Sequence, residues 1–431
     1  MKMTNKVWLS AVIALAVQGT AVHAGALADI YNQALTQDPQ LKAAEAGSLA
    51  GQEALPQARA GLLPSVSLNG NTTWIETDSA ADYNNHGYTV SLSQPIFSAS
   101  AWFGFKQGQA LSKVAQLQYD QAQQSLILRT VESYLDVLQA KSALETRQAE
   151  ERAIKRRLDQ VNAQFEVGLI AVTDVQEAQA SYDNAKVARI LAEGELDNSF
   201  QSVERLIGHA NVTIDPLDAD YPVQEIVPNS PESWLEKAQD SNLELKVSEA
   251  NVDAARRLSQ ANRSGHLPTL SLTASHDRDN GTVTSNGWKE TNQVGLTLSM
   301  PLFSGGGTSS KARESEYRYI EAQQNRENSY RAVVQDTRSL LRDLHTDVLS
   351  VAARQQSILS SETALNATEE GFNVGTRNVV DVLQAEQQLY SAQRDYASAR
   401  FTYVLNLFRF KQQIGTLNPD DLIGLDQWMK P

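Results

Sequence analysis

The sequence predicts a mixed, mainly α-helical chain with two internal repeats and four β-strands. Three observations support this fold class. The segment 165–178 recurs 207 positions later as 372–385, with seven of fourteen residues identical. Each copy follows an uninterrupted helical pattern, at about 99–166 and 308–371, that is roughly 100 Å long at 1.5 Å per residue. Each long pattern follows a pair of segments in which apolar and small polar residues alternate, as in β-strands.

The repeat divides the chain into five regions. We expect a secretory signal at 1–24, a first repeat at 25–210, a connector at 211–231, a second repeat at 232–415 and a tail at 416–431. Four prolines make the connector irregular. Because the connector and the tail follow the two repeats at matching positions, about halfway down the helical stack, both are predicted to lie at the equator of the molecule.

The signal is indicated by Lys2, Lys6, the apolar run 7–17 and a small-residue cleavage site that ends at Ala24. No later stretch reaches the roughly 20 apolar residues of a membrane-spanning helix. After export, the chain is therefore expected either to be soluble or to enter a membrane as strands.

Composition argues against several classes of function. The net charge is −14, and it becomes −16 when the two signal lysines are removed, which argues against a nucleic-acid partner. The absence of cysteine excludes disulfides and thiolate metal sites, and the six histidines are scattered without a ligand spacing. Gly305–Gly307 lacks the Lys-Ser/Thr of a phosphate-binding loop, and no nucleophile elbow is present. We therefore expect no enzyme, no cofactor and no metal.

Two β-hairpins are predicted, at 64–97 and 268–303, with polar loops at 77–86 and 277–292. Each hairpin has one aliphatic face and one face of Ser, Thr, Asn and Gln. Such a hairpin fits the wall of a membrane barrel or half of a soluble sandwich, and composition alone leaves both open. Four strands cannot close a membrane barrel, because about eight is the smallest number that does. A barrel would therefore be shared between chains, and three chains would supply twelve strands.

Four shorter helical patterns accompany the long ones, at about 40–62, 173–207, 231–264 and 377–413, and Asp38-Pro39 separates the first from a short N-terminal helix. Two short helices laid end to end match one long helix in length. The apolar residues of the long helices form a narrow stripe at three-four spacing, as in a coiled-coil seam. A ring of such helices would enclose a long aqueous duct.

Each repeated segment is predicted to be the tip of a helical hairpin. Gly168 and Gly375 stand where a helix must stop in a left-handed conformation. Thr173 with Gln176, and Asn378 with Asp381, have the spacing of caps for the next helix. These glycines and caps are also what a turn that only reverses the chain would need, so they do not by themselves indicate a functional tip. The tips also share an acid, because Asp174 and Asp381 occupy equivalent positions.

Five segments carry a resemblance to a known family: 165–174, 265–275, 374–383, 399–406 and 414–418. Over essentially the whole mature sequence, the chain resembles the TolC-type outer-membrane exit ducts of Gram-negative bacteria, also called outer membrane factors. The resemblance implies a homotrimer in outer-membrane lipid, with an antiparallel α-helical coiled-coil barrel in the periplasm that is continuous with a twelve-stranded transmembrane β-barrel. It also implies a periplasmic adaptor and an inner-membrane transporter of the RND, ABC or MFS type, and a role in multidrug efflux and type I protein secretion.

The resemblance further implies a periplasmic gate in which Arg377 bonds to Thr173 and Asp174. Phe372 stands where the founding member has a tyrosine that helps to latch this gate, so one latch hydroxyl is missing. Without the resemblance, Arg377 could equally be a solvated cation at a helix start.

The resemblance also implies an inner ring of acids at Asp381. Three such carboxylates facing one another would attract cations and make the pore cation-selective. Gln384 replaces a second acid of the family, so the family's second ring is absent here.

Two other classes of protein remain open at this stage. A periplasmic coiled-coil adaptor would share the helical hairpins but would not need four amphipathic strands. A surface receptor, for example for a phage or a colicin, could use the loops at 77–86 and 277–292 and is compatible with a duct. The sequence does not identify the transporter, the adaptor or the cargo.

Overall fold

The computed structural model describes residues 26–430 except 77, 79–81, 211, 229 and 282–286. The predicted signal at 1–24 lies outside the described residues. In chain order, the helices are α1 (Ala26–Gln37), α2 (Pro39–Gln52), α3 (Ala54–Ala60), α4 (Ala99–Glu166), α5 (Val172–Ile207), α6 (Pro231–Ser241), α7 (Leu243–Arg263), α8 (Gly307–Asn373), α9 (Val379–Gln413) and α10 (Pro419–Asp426). The strands are β1 (Ser65–Ile75), β2 (Tyr83–Phe97), β3 (Thr269–Asn280) and β4 (Lys289–Ser299).

The two long helices confirm the predicted patterns. Helices α4 and α8 contain 68 and 67 residues, about 100 Å each. Helix α4 packs against α2, α3 and α7 toward the sheet, and against α5 and α9 toward the tips, while α8 packs against α7 and α9. Short helices therefore stack beside the long ones as expected. No helix among the described residues is long and apolar enough to cross a membrane.

Two of the shorter helical patterns are interrupted, contrary to the prediction of continuous helices. The pattern 40–62 breaks at Glu53 between α2 and α3, and the pattern 231–264 breaks at Asn242 between α6 and α7. Asn242 caps α7, because its side-chain oxygen accepts a hydrogen bond from the Leu245 amide at 2.9 Å. Its side-chain amide also donates to the Gln413 carbonyl at 2.8 Å, which ties this break to the end of α9.

The four strands form one antiparallel sheet in the order β1-β2-β3-β4. The register places Leu68 opposite Val90 and Leu272 opposite Leu296, so aliphatic residues share one face. Ser67 and Ser91 face each other on the other side, with their hydroxyls 2.8 Å apart. The predicted separation into a greasy face and a wet face is therefore present in the sheet.

The predicted loops of both hairpins are too long. Strand β2 begins at Tyr83 and not near Tyr88, since Asn84 and Asn85 pair with β1. The Asn85 side-chain oxygen accepts from the Asn71 side-chain amide at 3.2 Å, and such polar pairs extend the ladder where the apolar alternation has stopped. Strands β3 and β4 likewise reach Asn280 and start at Lys289, so part of the predicted loop 277–292 is strand.

The largest buried cluster lies at the equator of the helical layer. Tyr134, near the middle of α4, is fully buried, and its hydroxyl donates to the Asp215 carbonyl and accepts from the Asp215 amide, both at 2.8 Å. The connector and the tail meet through a β-bridge between Leu217 and Met429. The two irregular segments therefore form one belt that is fastened to the middle of the long helix.

Candidate functional site

The two repeated tips have the same backbone geometry. Gly168 and Gly375 take φ angles of 75° and 79°, in the left-handed region that favours glycine. The amide after each glycine closes the same turn, since Leu169 donates to the Gln164 carbonyl at 2.9 Å and Thr376 donates to the Gly371 carbonyl at 2.8 Å. Both glycines therefore lie where the sequence predicts the helices to end.

The second tip is closed by side chains. Asn378 accepts a hydrogen bond from the Asp381 amide at 2.9 Å, and Asp381 accepts one from the Asn378 amide at 3.3 Å, so the predicted cap of α9 is a complete capping box. The Arg377 side chain lies over Gly371, where an added Cβ would approach its Cγ to 2.7 Å. Its guanidinium lies 3.9 Å from the Asp381 carboxylate.

The first tip is capped differently, and the predicted cap by Thr173 and Gln176 is wrong. Helix α5 begins one residue before Thr173, which puts Ala171 at the cap position. Alanine has no side-chain acceptor, so only half of the box forms, with the Asp174 carboxylate accepting from the Ala171 amide at 3.3 Å. Thr173 is exposed on the first turn of α5.

Within one chain the predicted gate residues are not all brought together. Among the ion pairs of the described residues, Arg377 pairs with Asp381 on its own helix and not with Asp174. Asp174 and Thr173 stand on the neighbouring tip, and Asp381 is half-buried. The contact of Arg377 with Thr173 and Asp174 therefore stays a prediction about neighbouring tips.

Phe372 packs at the edge of a buried cluster near the tips, which includes Ile154, Leu158 and Val161 of α4. The Arg157 guanidinium lies 5.9 Å from the centre of the Phe372 ring, close enough for a cation–π contact. An arginine from α4 therefore contacts Phe372, one of the residues of the predicted gate.

Arg157 belongs to a group of three charged residues that sequence reasoning missed. It pairs with Glu369 of α8 and, at 3.2 Å, with Glu386 of α9. Arg157 and Glu386 are only 8% and 5% exposed. The sequence does contain a signal for Glu386, because it continues the buried stripe of Val379 and Leu383 at helical spacing, where an acid is unusual.

A second group lies seven residues from Arg157 along α4, farther from the tip. Glu150 is 4% exposed and accepts from two arginines, Arg147 at 2.8 Å and Arg394 of α9 at 3.0 Å. The seam between α4 and α9 is therefore crossed by two buried ion pairs of opposite polarity.

Gln384 is exposed on α9 and lines a cavity of about 530 Å³ between α4, α5 and α9. Its neighbours in the cavity include Glu177, Val380 and Gln387. A glutamine at position 384 adds no charge to this cavity. No cluster of His, Cys, Asp or Glu among the described residues could hold a metal ion.

Comparison with known proteins decides the family. The family described as outer membrane efflux protein matches residues 30–209 and 234–416, which are the two repeats. The chain belongs to this family.

Relatives of the chain are similar along nearly their whole length. It is 36% identical to outer membrane protein TolC of Vibrio cholerae, over 97% of both chains. It is 33% identical to TolC of Escherichia coli K12, over 93% of this chain and 84% of that protein, and 30% identical to the proteases secretion protein PrtF of Dickeya chrysanthemi, over 97% and 94%. These similarities confirm the resemblance found in the sequence.

Solved structures show the same fold. The outer membrane protein VceC of Vibrio cholerae has a TM-score of 0.79 at 16% identity, over 90% of this chain and 96% of that chain. The open state of the MtrE outer membrane channel of Neisseria gonorrhoeae has a TM-score of 0.77 at 19% identity, over 91% of both chains. The predicted fold of a helical barrel with a β-domain is confirmed.

The outer membrane efflux protein described here is an exit duct of the Gram-negative outer membrane. The family and its relatives are channels rather than enzymes. The four amphipathic strands separate it from a periplasmic adaptor, the main alternative left open by the sequence.

Proposed function

We propose that three copies of this chain form one channel, with a shared twelve-stranded barrel and a helical duct whose entrance is gated by the repeated tips. The sheet is the observation that carries the proposal. Its outer strands β1 and β4 each have one partner in the chain, and its aliphatic face is open, with Val66, Leu68 and Leu296 each about two-thirds exposed. Joining β1 of one copy to β4 of the next would pair both edges and present the aliphatic face to lipid.

The helical layer has two matching edges. Helix α4 lies between α5 and α9, and α9 lies between α4 and α8, so α5 and α8 form the edges of one copy. Val187 and Leu191 of α5 are 56% and 69% exposed, and Leu349 and Leu359 of α8 are 57% and 54% exposed. Val187 and Leu359 both lie about 21–23 Å from the tip end of their helices. Exposed apolar residues at the same distance from the tips on both edges support packing of α8 against α5 of the next copy.

The trimer is tested by the mass of the purified protein in detergent and by single-channel recordings in planar bilayers. Leu191→Glu and Leu349→Glu should each weaken assembly, because a charge would be buried between helices. Ser357→Glu places the same charge at an exposed position on the opposite side of α8 from Leu359 and serves as the control. A monomeric wild-type protein without conductance would overturn the proposal.

The gate is proposed to consist of Arg377 of one tip with Thr173 and Asp174 of a neighbouring tip, and Phe372 packs behind it. Support comes from the exposure of Arg377, whose side chain is 60% accessible and whose contact with Asp381 is long. An exposed ion pair contributes at most about 1 kcal/mol, and a hydrogen bond to Thr173 adds to it. Replacing Asp174 with Asn and Arg377 with Gln together should raise single-channel conductance. Unchanged conductance would contradict the gate and would mean that the tips only reverse the chain.

The duct is further proposed to serve both efflux of small toxic solutes and secretion of proteins, together with an adaptor and an inner-membrane transporter. The relatives that carry this proposal are TolC and PrtF, the latter a secretion protein for proteases. Crosslinking of periplasmic complexes in intact cells, followed by copurification, tests the partners. Recovery of the trimer alone would contradict the proposal of a recruited duct.

A further inference from the structure

The seam between α4 and α9 contains two buried groups of charges that differ in balance. The lower group, nearest the tip, has one cation and two anions: Arg157, Glu369 and Glu386. The upper group has two cations and one anion: Arg147, Arg394 and Glu150. Among these paired residues, the lower group has an excess of one negative charge and the upper group an excess of one positive charge. Arg156 of α4 also faces Glu386 but forms no ion pair among the described residues.

The excess charge of the lower group falls on Glu386. One of its carboxylate oxygens accepts from Arg157, and the other, Oε2, is buried without a hydrogen-bond partner. The Arg157 guanidinium is shared with Glu369, whose side chain is 37% exposed and can be solvated. A buried carboxylate that is only half satisfied destabilises the structure that buries it.

The geometry points to Glu386 as a residue that biases the tip toward opening. We infer that its buried, half-satisfied carboxylate weakens the closed packing of α9 on α4 next to the tip, whereas Glu150, which accepts from two arginines, anchors the same two helices above it. The inner hairpin would then move below the level of Glu150, about 10 Å from Arg157 along α4. This inference rests on the gated duct proposed above.

If the charge on Glu386 favours the open tip, opening should depend on whether Glu386 is protonated. The groups that face it are Arg156 and Arg157 of α4 and Glu369 of α8, with Tyr390 one turn along α9. Burial raises the pKa of Glu386, and Arg157 only partly opposes that rise. In an open tip, where Glu386 reaches water, its pKa returns to the ordinary value of a glutamate.

The sign of the pH effect follows from linkage. Because the closed tip binds the proton more tightly than the open tip, acid favours closure. This stabilisation is complete below the ordinary pKa of glutamate and is lost as the pH rises through the raised pKa of the closed state. The channel should therefore open more readily near neutral pH than in acid.

The experiment records single-channel conductance of the trimer in planar bilayers at two pH values, one near the ordinary glutamate pKa of about 4.3 and one near neutrality, about 7. We expect wild type to open less at the lower pH. Glu386→Gln, which keeps the size and removes the charge, should open less than wild type at the higher pH and should lose the pH dependence. Glu369→Gln removes the same charge from the exposed partner of Arg157 and should keep the pH dependence.

Two outcomes overturn the inference. If Glu386→Gln raises conductance, the Arg157–Glu386 attraction holds the tip closed, and if it matches wild type at both pH values, the seam does not act on the gate. The double replacement of Asp174 and Arg377 separates these results from failure of the gate itself. If that variant opens the channel while Glu386→Gln changes nothing, the proposed gate is supported and only the role of Glu386 is rejected.

Discussion

The two tips share one turn but prepare the next helix in different ways. At the second tip, Asn378 and Asp381 satisfy each other's amides. At the first tip, Ala171 stands at the position of Asn378 and provides no side-chain acceptor, so the Asp174 amide donates only to the Ala171 carbonyl, at 3.1 Å. The acids Asp174 and Asp381 are nevertheless held at the same helical position. Both copies of the repeat therefore keep the turn and the acid. Only the second tip, which carries Arg377, starts its helix with a complete capping box.

This difference assigns separate roles to the two tips. A helix start closed by a full capping box holds its first turn, and with it the carboxylate of Asp381, in one orientation. The first tip has no such side-chain cap, and Leu169 at its apex is 73% exposed. We therefore expect the second tip to line the entrance of the pore, and the first tip to pack against the second tip.

The largest expected effect is on ion selectivity. Asp381→Asn should remove most of the cation preference of the trimer at low salt, because three carboxylates within about a Debye length of 10 Å dominate the local potential. Reversal potentials in a salt gradient measure it. The matched control is Asp174→Asn at the equivalent position of the first tip, which should change conductance more than selectivity. Equal loss of selectivity in both variants would remove the distinction between the tips.

A smaller effect is expected from the turn glycines. Gly168→Ala and Gly375→Ala should each cost roughly 1–2 kcal/mol at their tip, because both residues need a left-handed conformation. Neither has atoms within 4 Å of an added Cβ, so the cost is conformational and should be similar at both tips. Hydrogen exchange of the amides next to each turn measures it. A much larger effect at one tip would show that the two turns are not equivalent.

The smallest effect comes from exchanging the caps. Asn378→Ala should destabilise the start of α9 by about 1 kcal/mol, and Ala171→Asn should stabilise the start of α5 by a similar or smaller amount. Hydrogen exchange in the first turns of α5 and α9 provides the readout. Protection should fall in one variant and rise in the other. No gain from Ala171→Asn would mean that the bond from the Asp174 amide to the Ala171 carbonyl already satisfies this helix start.

Most of the fold could be predicted because its signals are periodic. The bounds of α4 match the predicted 99–166, since an uninterrupted three-four stripe leaves little freedom in placing a long helix. The start of β2 could not be placed, because Asn84 and Asn85 are typical of turns and their pairing depends on β1. Likewise, nothing near Asn242 predicts that its side chain would bind the end of α9.

The tips were predictable as turns and only partly as a site. Gly168, Gly375, Asn378 and Asp381 are local signals, and the structure places them as expected. The cap at the first tip was misplaced by two residues, because Thr173 is a better cap by type than Ala171. The groups around Glu150 and Glu386 involve residues more than two hundred positions apart and depend on tertiary packing.

The equatorial belt has a consequence for the order in which the molecule is completed. The first turn of α1 is capped from the other end of the chain, because the Leu27 amide donates to the Asp426 carboxylate at 3.1 Å, and Asp218 of the connector pairs with Lys430. A chain shortened before Asp426 would therefore lack a closed waist, because neither the cap on α1 nor the pairing with Lys430 could form. Both ends of the described chain must be present before the middle of the molecule is complete.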